Sequence, residues 1–511
     1  MDKVLILDFG GQYTQLIARR IRDLNIFSEI VDYDIKAEDI IAKNPKAIIL
    51  SGGYDSVYEH SSLRPDQQLW NLNIPILGIC YGFQVMVDCF NGIVKSNDSN
   101  KEFGETPINL IENELFDGIK KENICWMSHS DHISVLPQNF YPIASTNNCK
   151  IAAACNDAKK FYGVQFHPEA SQTQFGMQML DNFLSRICHI KNDWKPANFK
   201  IDAIDNIKKI VQDDYVLCAI SGGVDSLVAA VLTSKAIKEK LYCVFVDHGL
   251  LRKNEVFEVC KTLRHLIGRN VFLVQEKQLF LERLKNVVDP ETKRKIIGNT
   301  FIEVFEKIAK KLNKPFKFLL QGTIYPDIVE SGTKFSKTIK SHHNVGGLPE
   351  KLNFELLEPL KYFFKDEVRK LGLSLNIPYN QVYRQPFPGP GLAVRIIGEI
   401  TEEKIRILQE VDAIFRNSID AIYQNSQNKP WQYFAVLTNS NSVGVVGDNR
   451  QYGYTVALRA VASEDAMSAS WFKIPLDYLA RISSLICNNV KEVNRVVYDI
   501  TNKPPSTIEW E

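Results

Sequence analysis

A cysteine between two glycines is the first feature of this sequence that could do chemistry. The segment 78–82 reads Gly-Ile-Cys-Tyr-Gly and ends a short apolar run that predicts a strand. In this spacing the nucleophile stands on a sharp turn between a strand and a helix, where glycines relieve crowding and the side chain projects from the sheet edge. Cys80 is therefore a candidate nucleophile. The alternative is a buried cysteine beside two turn glycines.

A histidine and a carboxylate further along the chain could activate this thiol. His167 and Glu169 occur in the segment 166–169, Phe-His-Pro-Glu, at the end of another predicted strand. The imidazole could hold Cys80 as a thiolate, and Glu169 could orient the imidazole. A lone His-Pro-Glu is also typical of an exposed turn. The two motifs together favour a catalytic triad, because the ends of parallel strands share one edge of a sheet.

These motifs resemble those of the class I glutamine amidotransferases. The resemblance spans residues 4–187 and is carried by Leu-Ser-Gly-Gly at 50–53, by the cysteine segment and by residues 163–169. It implies that Cys80 attacks the side-chain amide of glutamine, releases ammonia and leaves a glutamyl thioester that water hydrolyses. It also implies that backbone N–H groups of Gly53 and Tyr81 form the oxyanion hole.

The chain departs from that family at four positions. Tyr54 stands where proline usually follows Ser-Gly-Gly, Glu105 and Thr106 stand where arginine and a small residue are usual, and Ser130 replaces a glycine. The triad is intact. We expect the departures to bear on the rate or the coupling of glutamine hydrolysis.

A glycine-rich turn in the middle of the chain predicts a phosphate site. Residues 221–226 read Ser-Gly-Gly-Val-Asp-Ser, follow an apolar run and open a helical pattern. The backbone N–H groups and the dipole at such a helix N-terminus are directed at phosphate oxygens. The segment lacks the spacing of a Walker A loop. The alternative is a helix-capping turn.

This turn resembles the PP-loop of the ATP pyrophosphatases, which cleave ATP between its α and β phosphates and transfer AMP to an oxygen. The residues that would hold the departing pyrophosphate are Ser221, Gly222, Gly223, Val224, Asp225 and Ser226. Mg²⁺ is the expected cofactor with ATP, and its candidate ligands are Asp225 and Asp327, the latter in Gln-Gly-Thr-Ile-Tyr-Pro-Asp at 321–327. Either aspartate could instead cap a turn.

A glutaminase and an adenylating domain in one chain complement each other, because adenylation activates an oxygen that ammonia can displace. This indicates an amide-type ligase. Segments 339–349, 384–392 and 503–511 resemble the glutamine-hydrolysing GMP synthetase family, and the resemblance covers essentially the whole chain. It implies that ATP adenylates O2 of the base of xanthosine monophosphate (XMP), that ammonia attacks C2, and that AMP leaves as GMP forms.

The same resemblance implies which residues bind XMP. Arg252 and Lys503 would contact the 5′-phosphate side, and Gln432 and Glu509 would line the nucleotide site. Cations suit a dianionic phosphate. The alternative for each cation is a solvated surface charge.

A glycine-bearing segment is predicted to act as a lid. Lys340, His342 and His343 lie within it and could close over the activated nucleotide and exclude water. The alternative is a disordered polar loop.

The elements that must position these residues are predicted from periodicity. Short apolar runs alternate with amphipathic stretches through the first two thirds of the chain, which is typical of parallel sheets covered by helices. We therefore expect an α/β protein with two open parallel-sheet α/β domains and a C-terminal α+β domain. The expected domains are a class I amidotransferase at 1–190, an ATP pyrophosphatase at 191–385, and a dimerisation and XMP-binding domain at 386–511, which predicts a homodimer.

Composition supports this organisation. At roughly 150 residues per domain, 511 residues predict about three domains. A net charge of +1 provides no field that would attract nucleic acid or an anionic membrane. The absence of a signal-like start and ten cysteines without a CxxC pair favour a cytoplasmic protein, and the stretch 74–87 is too short and too polar to span a membrane.

Two rival interpretations remain open at this stage. One is another PP-loop ligase, such as a glutamine-dependent NAD synthetase, whose nitrilase-like domain carries a different site, or a tRNA-thiolating enzyme, which should be basic. The other is a nucleotide-sensing scaffold without catalysis. The presence of Cys80, His167 and Glu169 together with the whole phosphate loop weighs against the scaffold.

Overall fold

The computed structural model describes residues 2–59, 62–96, 101–196, 198–332, 354–424, 428–446, 449–463 and 468–511. By their contacts the residues form two compact units, one of Met1–Asn198 with Ile324–Lys340 and one of Phe199–Thr323 with Ser341–Glu511. The predicted lid residues Lys340, His342 and His343 lie outside the described residues. The division into three domains at 190 and 385 stays a prediction.

The elements follow one another along the chain with short connections. The strands are β1 Lys3–Phe9, β2 Phe27–Asp32, β3 Ala47–Gly53, β4 Ile76–Ile79, β5 Ile93–Ser96, β6 Glu102–Leu110, β7 Glu122–His129, β8 Asp131–Val135, β9 Tyr141–Ser145, β10 Ala153–Asn156, β11 Phe161–Val164, β12 Tyr215–Ile220, β13 Leu241–Asp247, β14 Val271–Gln275, β15 Phe316–Leu320, β16 Glu355–Leu357, β17 Gln432–Val446, β18 Asn449–Ala462, β19 Ser470–Trp471 and β20 Val493–Asp499. The helices are α1 Thr14–Asp23, α2 Ala37–Lys43, α3 Tyr81–Cys89, α4 Gly176–Asp181 with the π-helical turn Asn182–Ile187, α5 Phe199–Val211, α6 Val224–Ile237, α7 Glu255–Ile267, α8 Lys277–Leu284, α9 Pro290–Leu312, α10 Tyr325–Gly332, α11 Lys365–Ser374, α12 Tyr379–Val382, α13 Glu402–Ile422 and α14 Leu476–Asn489.

The first unit is built on a nine-stranded sheet in the order β2-β1-β3-β4-β11-β10-β9-β6-β7. The strands from β2 to β11 pair in parallel, and the remaining neighbours pair antiparallel. The parallel strands are buried on both faces, as expected where helices cover a sheet. The antiparallel extension was not predicted, and the alternating burial of β6 and β7 shows why, since only one face carries the apolar signal.

The second unit contains two sheets. A five-stranded parallel sheet has the order β14-β13-β12-β15-β16, and in a four-stranded sheet β18 pairs with β17, β19 and β20. The α/β fold class with parallel sheets is confirmed. One hydrophobic core includes residues of both sheets and the buried face of α13, on which Leu408, Val411 and Phe415 are fully buried. The outer parts of strands β17 and β18 form a long hairpin that contains many polar residues.

No helix among the described residues is both long enough and apolar enough to cross a membrane.

Candidate functional site

The backbone around Cys80 forms the sharp turn that the glycines predict. Strand β4 ends at Ile79 and helix α3 begins at Tyr81, and Cys80 itself has φ 52°. A Cβ atom at Gly78 would lie 2.7 Å from the Cα of Phe83. The strand and the helix therefore approach each other too closely for any side chain at position 78. The Cys80 side chain is held at the end of the strand in a backbone conformation that L residues rarely adopt.

A second glycine brings the histidine-bearing strand against the same helix. Gly163 on β11 lies in register with Gly78 on β4, and a Cβ atom at Gly163 would overlap the ring of Phe83. Strand β11 ends at Val164, so that the chain passes through Gln165 to His167 directly beside the cysteine turn.

His167 is held between a carboxylate and the thiol. Its Nδ1 lies 2.7 Å from Glu169 Oε1, and its ring packs edge-on against Tyr13 with centroids 5.0 Å apart. Burial alone would lower the pKa of His167, but the charge of Glu169 and hydrogen bonds with Cys80 and Glu169 raise that pKa well above its ordinary value. The cluster therefore favours an imidazolium beside the sulfur, which is the arrangement that activates a cysteine.

Two amide side chains that sequence reasoning missed complete the wall around the sulfur. Gln165 is fully buried and its Nε2 lies 3.7 Å from Cys80 Sγ. Gln84 Nε2 donates to the carbonyl of Asp131 at 3.0 Å and to Gln165 Oε1 at 3.3 Å. The backbone carbonyl of Ser128 lies 3.7 Å from the same sulfur. A buried amide inside an otherwise apolar segment was the available signal.

The predicted oxyanion donors belong to the two segments that meet at Cys80. A Cβ atom at Gly53 would lie 2.9 Å from the Tyr81 ring, and one at Gly52 would lie 3.3 Å from His167 Cε1. The backbone of this loop thus lies against the triad, where a substrate oxygen would be. The N–H of Tyr81 is in the first turn of α3, where backbone donors have no partner within the helix. Tyr54, the departure after this loop, is 68% exposed.

The glycine-rich turn in the second unit connects β12 to α6. Gly222 has φ +80°, and Ser221 Oγ accepts a hydrogen bond from the N–H of Gly223 at 3.3 Å. Ser226 Oγ donates to the carbonyl of Gly223 at 3.0 Å and lies 3.2 Å from Ser221 Oγ. A left-handed glycine directly before a helix N-terminus is the backbone arrangement of an anion-binding cradle. Val224 is the first residue of the helix.

Asp225 carries an oxygen suited to a cation. Its Oδ2 forms an ion pair with Lys365 Nζ at 2.5 Å, whereas its Oδ1 is buried without a hydrogen-bond partner. Such an orphaned carboxylate oxygen next to a phosphate cradle fits the ligand preference of Mg²⁺. Asp327 Oδ2 accepts a hydrogen bond from the N–H of Ile324 at 3.0 Å, within the part of the chain that groups with the first unit. Lys365 was missed because a lysine at the start of a helix has no distinguishing pattern.

Three of the four predicted XMP residues converge in the second unit. Gln432 Nε2 donates to Glu509 Oε1 at 2.9 Å, and Gln432 and Arg252 both donate to the carbonyl of Pro386, at 3.4 and 3.3 Å. Glu509 also accepts two hydrogen bonds from Arg395, at 2.9 and 2.7 Å. Sequence reasoning missed Arg395, although a charged residue inside an apolar run was a signal that it could have used.

The fourth residue, Lys503, pairs through its backbone with Ala469, at 2.7 Å for its N–H and 3.0 Å for its carbonyl. Its role towards XMP stays a prediction.

The electrostatics of this cluster are dominated by buried arginines. Burial and, next, the neighbouring Arg395 lower the pKa of Arg252 well below its ordinary value. The Nε of Arg252 is buried without a hydrogen-bond partner, and its guanidinium lies 4.2 Å from the centre of the Phe387 ring. Burial and Arg416 likewise lower the pKa of Arg384 to about 10. Ion pairs with Glu255, Glu509 and Asp412 offset the charges of Arg384, Arg395 and Arg416, so an anion would offset the positive charge that is left.

Comparison with known proteins identifies the family to which the chain belongs. Residues 5–187 match the family described as "Glutamine amidotransferase class-I", and residues 418–510 match "GMP synthase C terminal domain". A protein of Malacoplasma penetrans named "GMP synthase [glutamine-hydrolyzing]" is 71% identical over 511 residues, which is 100% of both chains. The chain belongs to the glutamine-hydrolysing GMP synthase family.

Other members of the GMP synthase family align over the same length. A protein of the same name from Caldicellulosiruptor saccharolyticus is 56% identical over 99% of both chains. One from Clostridium novyi is 55% identical over 100% of this chain and 99% of its own. The resemblance seen in the sequence is thereby confirmed. Because these relatives are similar from end to end, GMP synthase membership applies to both compact units.

Proposed function

We propose that this chain makes GMP from XMP, ATP and glutamine, and that Cys80 is the residue at which ammonia is released. The observation that supports glutamine hydrolysis at Cys80 is the buried Glu169–His167 pair, at 2.7 Å, beside the thiol. The ATP-dependent synthesis of GMP is supported by the phosphate cradle and the arginine cluster in the same chain.

In the glutaminase reaction, the Cys80 thiolate attacks the amide carbon of glutamine. Backbone N–H groups of Gly53 and Tyr81 stabilise the oxyanion, and His167 gives its proton to the leaving ammonia. Water, deprotonated by the neutral imidazole, then hydrolyses the thioester and restores the thiol. Glu169 keeps His167 in the required orientation throughout.

In the synthetase reaction, the N–H groups of residues 221–226 bind the β and γ phosphates of ATP. Asp225 would hold Mg²⁺ through its free oxygen, and the bound ion would neutralise charge on the pyrophosphate. The role of Asp327 as a second ligand stays a prediction from the sequence. O2 of XMP attacks the α phosphate, pyrophosphate leaves, ammonia adds at C2, and AMP departs.

We propose that Arg252 neutralises the phosphate of XMP, with Gln432, Glu509 and Lys503 lining the same site. The buried guanidinium without a full set of partners supports this role, because a dianion would supply both charge and acceptors.

We also propose that the protein is a cytoplasmic homodimer. The C-terminal region keeps large apolar side chains at its surface, among them Leu476 at 81% exposure and Ile500 at 62%. All ten cysteines are free thiols, which is in keeping with a reducing compartment. Analytical ultracentrifugation should give twice the chain mass, and charged substitutions such as Leu476→Glu should shift the protein to the monomer.

The proposal is tested by measuring GMP formation from XMP, ATP and Mg²⁺ with glutamine or with ammonium. We expect Cys80→Ala to lose at least about 10³-fold of the glutamine-dependent rate and to keep the ammonium-dependent rate. The matched control is Cys89→Ala, which removes the thiol at the other end of helix α3. Equal use of glutamine by the Cys80 variant would refute the assigned nucleophile, and a wild type that makes GMP from neither nitrogen source would refute the synthetase.

A further inference from the structure

A second group of ligand-type side chains lies in the antiparallel half of the nine-stranded sheet. Glu102, His129 and Cys149 bring a carboxylate oxygen, an imidazole nitrogen and a sulfur within 4.8 Å of one another. The three residues are no more than 5% exposed. The reactions proposed above use none of them. A buried carboxylate, imidazole and thiol at one point are costly to maintain for packing alone.

Three separate backbone segments bring these side chains together. Glu102 on β6 lies directly opposite His129 on β7, a register that brings the side chains of an antiparallel pair into contact. Cys149 comes from the connection between β9 and β10, which is closed by a hydrogen bond of 2.8 Å from the N–H of Thr146 to the carbonyl of Cys149. The positions of the three donors are therefore fixed by the sheet and by a tight turn.

The hydrogen bonds around the cluster direct lone pairs into it. His129 Nδ1 lies 2.9 Å from the carbonyl oxygen of Asp131, and because a carbonyl only accepts, Nδ1 carries the proton. Nε2 is then available as a ligand and lies 3.3 Å from Glu102 Oε2. Thr146 Oγ1 donates to Glu102 Oε1 at 2.7 Å and accepts the N–H of Cys149 at 2.8 Å. Ligating histidines and carboxylates are held in this way by partners outside the metal shell.

The spacing fits a tetrahedral metal ion. Bonds of about 2.0 Å from zinc to nitrogen and oxygen place two tetrahedral ligands about 3.3 Å apart, and the observed Oε2–Nε2 distance is 3.3 Å. We propose that Glu102, His129 and Cys149 bind a divalent transition-metal ion, with Zn²⁺ as the best match. One carboxylate and one thiolate balance its charge, and a water molecule completes the shell.

Binding exchanges protons for the metal. The Cys149 S–H, which points at the carbonyl of Ile151 at 3.4 Å, loses its proton to solvent as the sulfur–metal bond forms. Because the thiol must lose its proton before it can bind, metal affinity rises with pH. The ion would tie β6, β7 and the Cys149 turn together. Ser128, which contacts the Cys80 sulfur, directly precedes His129, so the ion would also stiffen that wall of the glutaminase pocket.

Cys125 provides a matched control. It is also fully buried, and burial and Glu102 raise its pKa to about 12. It lies on β7 four residues before His129, about 13 Å away along the strand, and pairs with Thr106. Its sulfur is directed at the carbonyl of Thr106, at 3.5 Å. Removing this thiol should leave the proposed site intact.

The test is metal binding by the full chain, in a Cys80→Ala background so that the catalytic thiol cannot act as a ligand. Chelator-treated protein is titrated with Co²⁺ and with Zn²⁺ alone, and metal content is measured by mass spectrometry after dialysis. We expect one equivalent of metal, a near-ultraviolet sulfur-to-Co²⁺ band, and d–d bands typical of four-coordinate cobalt. Cys125→Ser should keep all three. Cys149→Ser should lose the sulfur band, and Cys149→Ser and Glu102→Gln should each bind Zn²⁺ at least about tenfold more weakly.

The decisive measurement needs no substitution among the three proposed ligands. Protein with Glu102, His129 and Cys149 intact that retains no metal and shows no sulfur band would overturn the proposal and leave a metal-free imidazole–carboxylate pair. A sulfur band that persists in Cys149→Ser would also overturn it. Neither outcome bears on glutamine hydrolysis or GMP formation, which are measured separately.

Discussion

The thiol site in the first unit and the arginine cluster in the second unit differ in how their charges are balanced. His167 has one carboxylate partner and one thiol partner, so both sides of its ring have a hydrogen-bond partner before any ligand binds. Arg252 instead lies near further arginines, and its Nε has no hydrogen-bond partner. A balanced site is prepared for proton transfer, whereas a site with excess buried charge is prepared to bind the opposite charge.

The balance at the thiol site is broken most directly by Glu169→Gln. We expect the glutaminase turnover rate to fall about 10²- to 10⁴-fold, with ammonium-dependent GMP formation unchanged. Loss of the carboxylate also lowers the pKa of His167, since the charge of Glu169 is the largest contribution that raises it. Deprotonation of the imidazolium then begins at lower pH, and the alkaline limb of the pH–rate profile should move to lower pH. An unshifted alkaline limb would contradict the assigned pairing.

The imbalance at the arginine cluster is removed by Arg252→Met. We expect KM for XMP to rise about 100-fold, because a charge-assisted contact with phosphate is lost. The midpoint of thermal unfolding without ligand should stay the same or rise, because the variant no longer buries a guanidinium whose Nε has no hydrogen-bond partner. Lys253→Met, at an exposed lysine paired with Glu410, is the control and should change neither quantity. A large loss of unliganded stability in Arg252→Met would mean that the arginine is already satisfied.

A balanced pair elsewhere in the second unit should behave in the opposite way. Lys293 is fully buried and bonds Glu511 Oε2 at 2.5 Å and the carbonyl of Ile396 at 2.8 Å. Glu511→Gln leaves this ammonium without its counter-charge, and we expect a loss of about 2 kcal/mol in the free energy of unfolding. Denaturant titration measures it. Lys293→Met combined with Glu511→Gln should recover part of the loss, and a double variant less stable than Glu511→Gln would show that the pair is not coupled as described.

The sequence predicted the parts of these sites that depend on local backbone geometry. The turns at 78–82 and 221–226 have glycines whose spacing reflects a strand, a turn and a helix in succession, and the structure has those elements there. Residues joined only by tertiary structure were missed. Gln165 and Arg395 are single polar residues in apolar segments, and their partners lie far away along the chain.

The same limit applies to the sheets. Both faces of β1 are buried, so the strand can be recognised in the sequence as an apolar run. In β6 and β7 buried residues alternate with exposed ones, and these strands were not predicted. Nothing in local periodicity indicates that an antiparallel extension follows a parallel sheet. The family was found from the sequence because its motifs are long and specific, and the full-length similarity confirms it.

Gly163 has a consequence for any attempt to redesign the hydrolase. Because this position has no side chain, the ring of Phe83 on α3 lies directly against the backbone of β11, and this contact helps to set the distance between the cysteine turn and the histidine segment. An alanine there would overlap this ring, so Phe83 or α3 would have to shift. Position 163 therefore offers no room for a larger side chain in a redesigned enzyme.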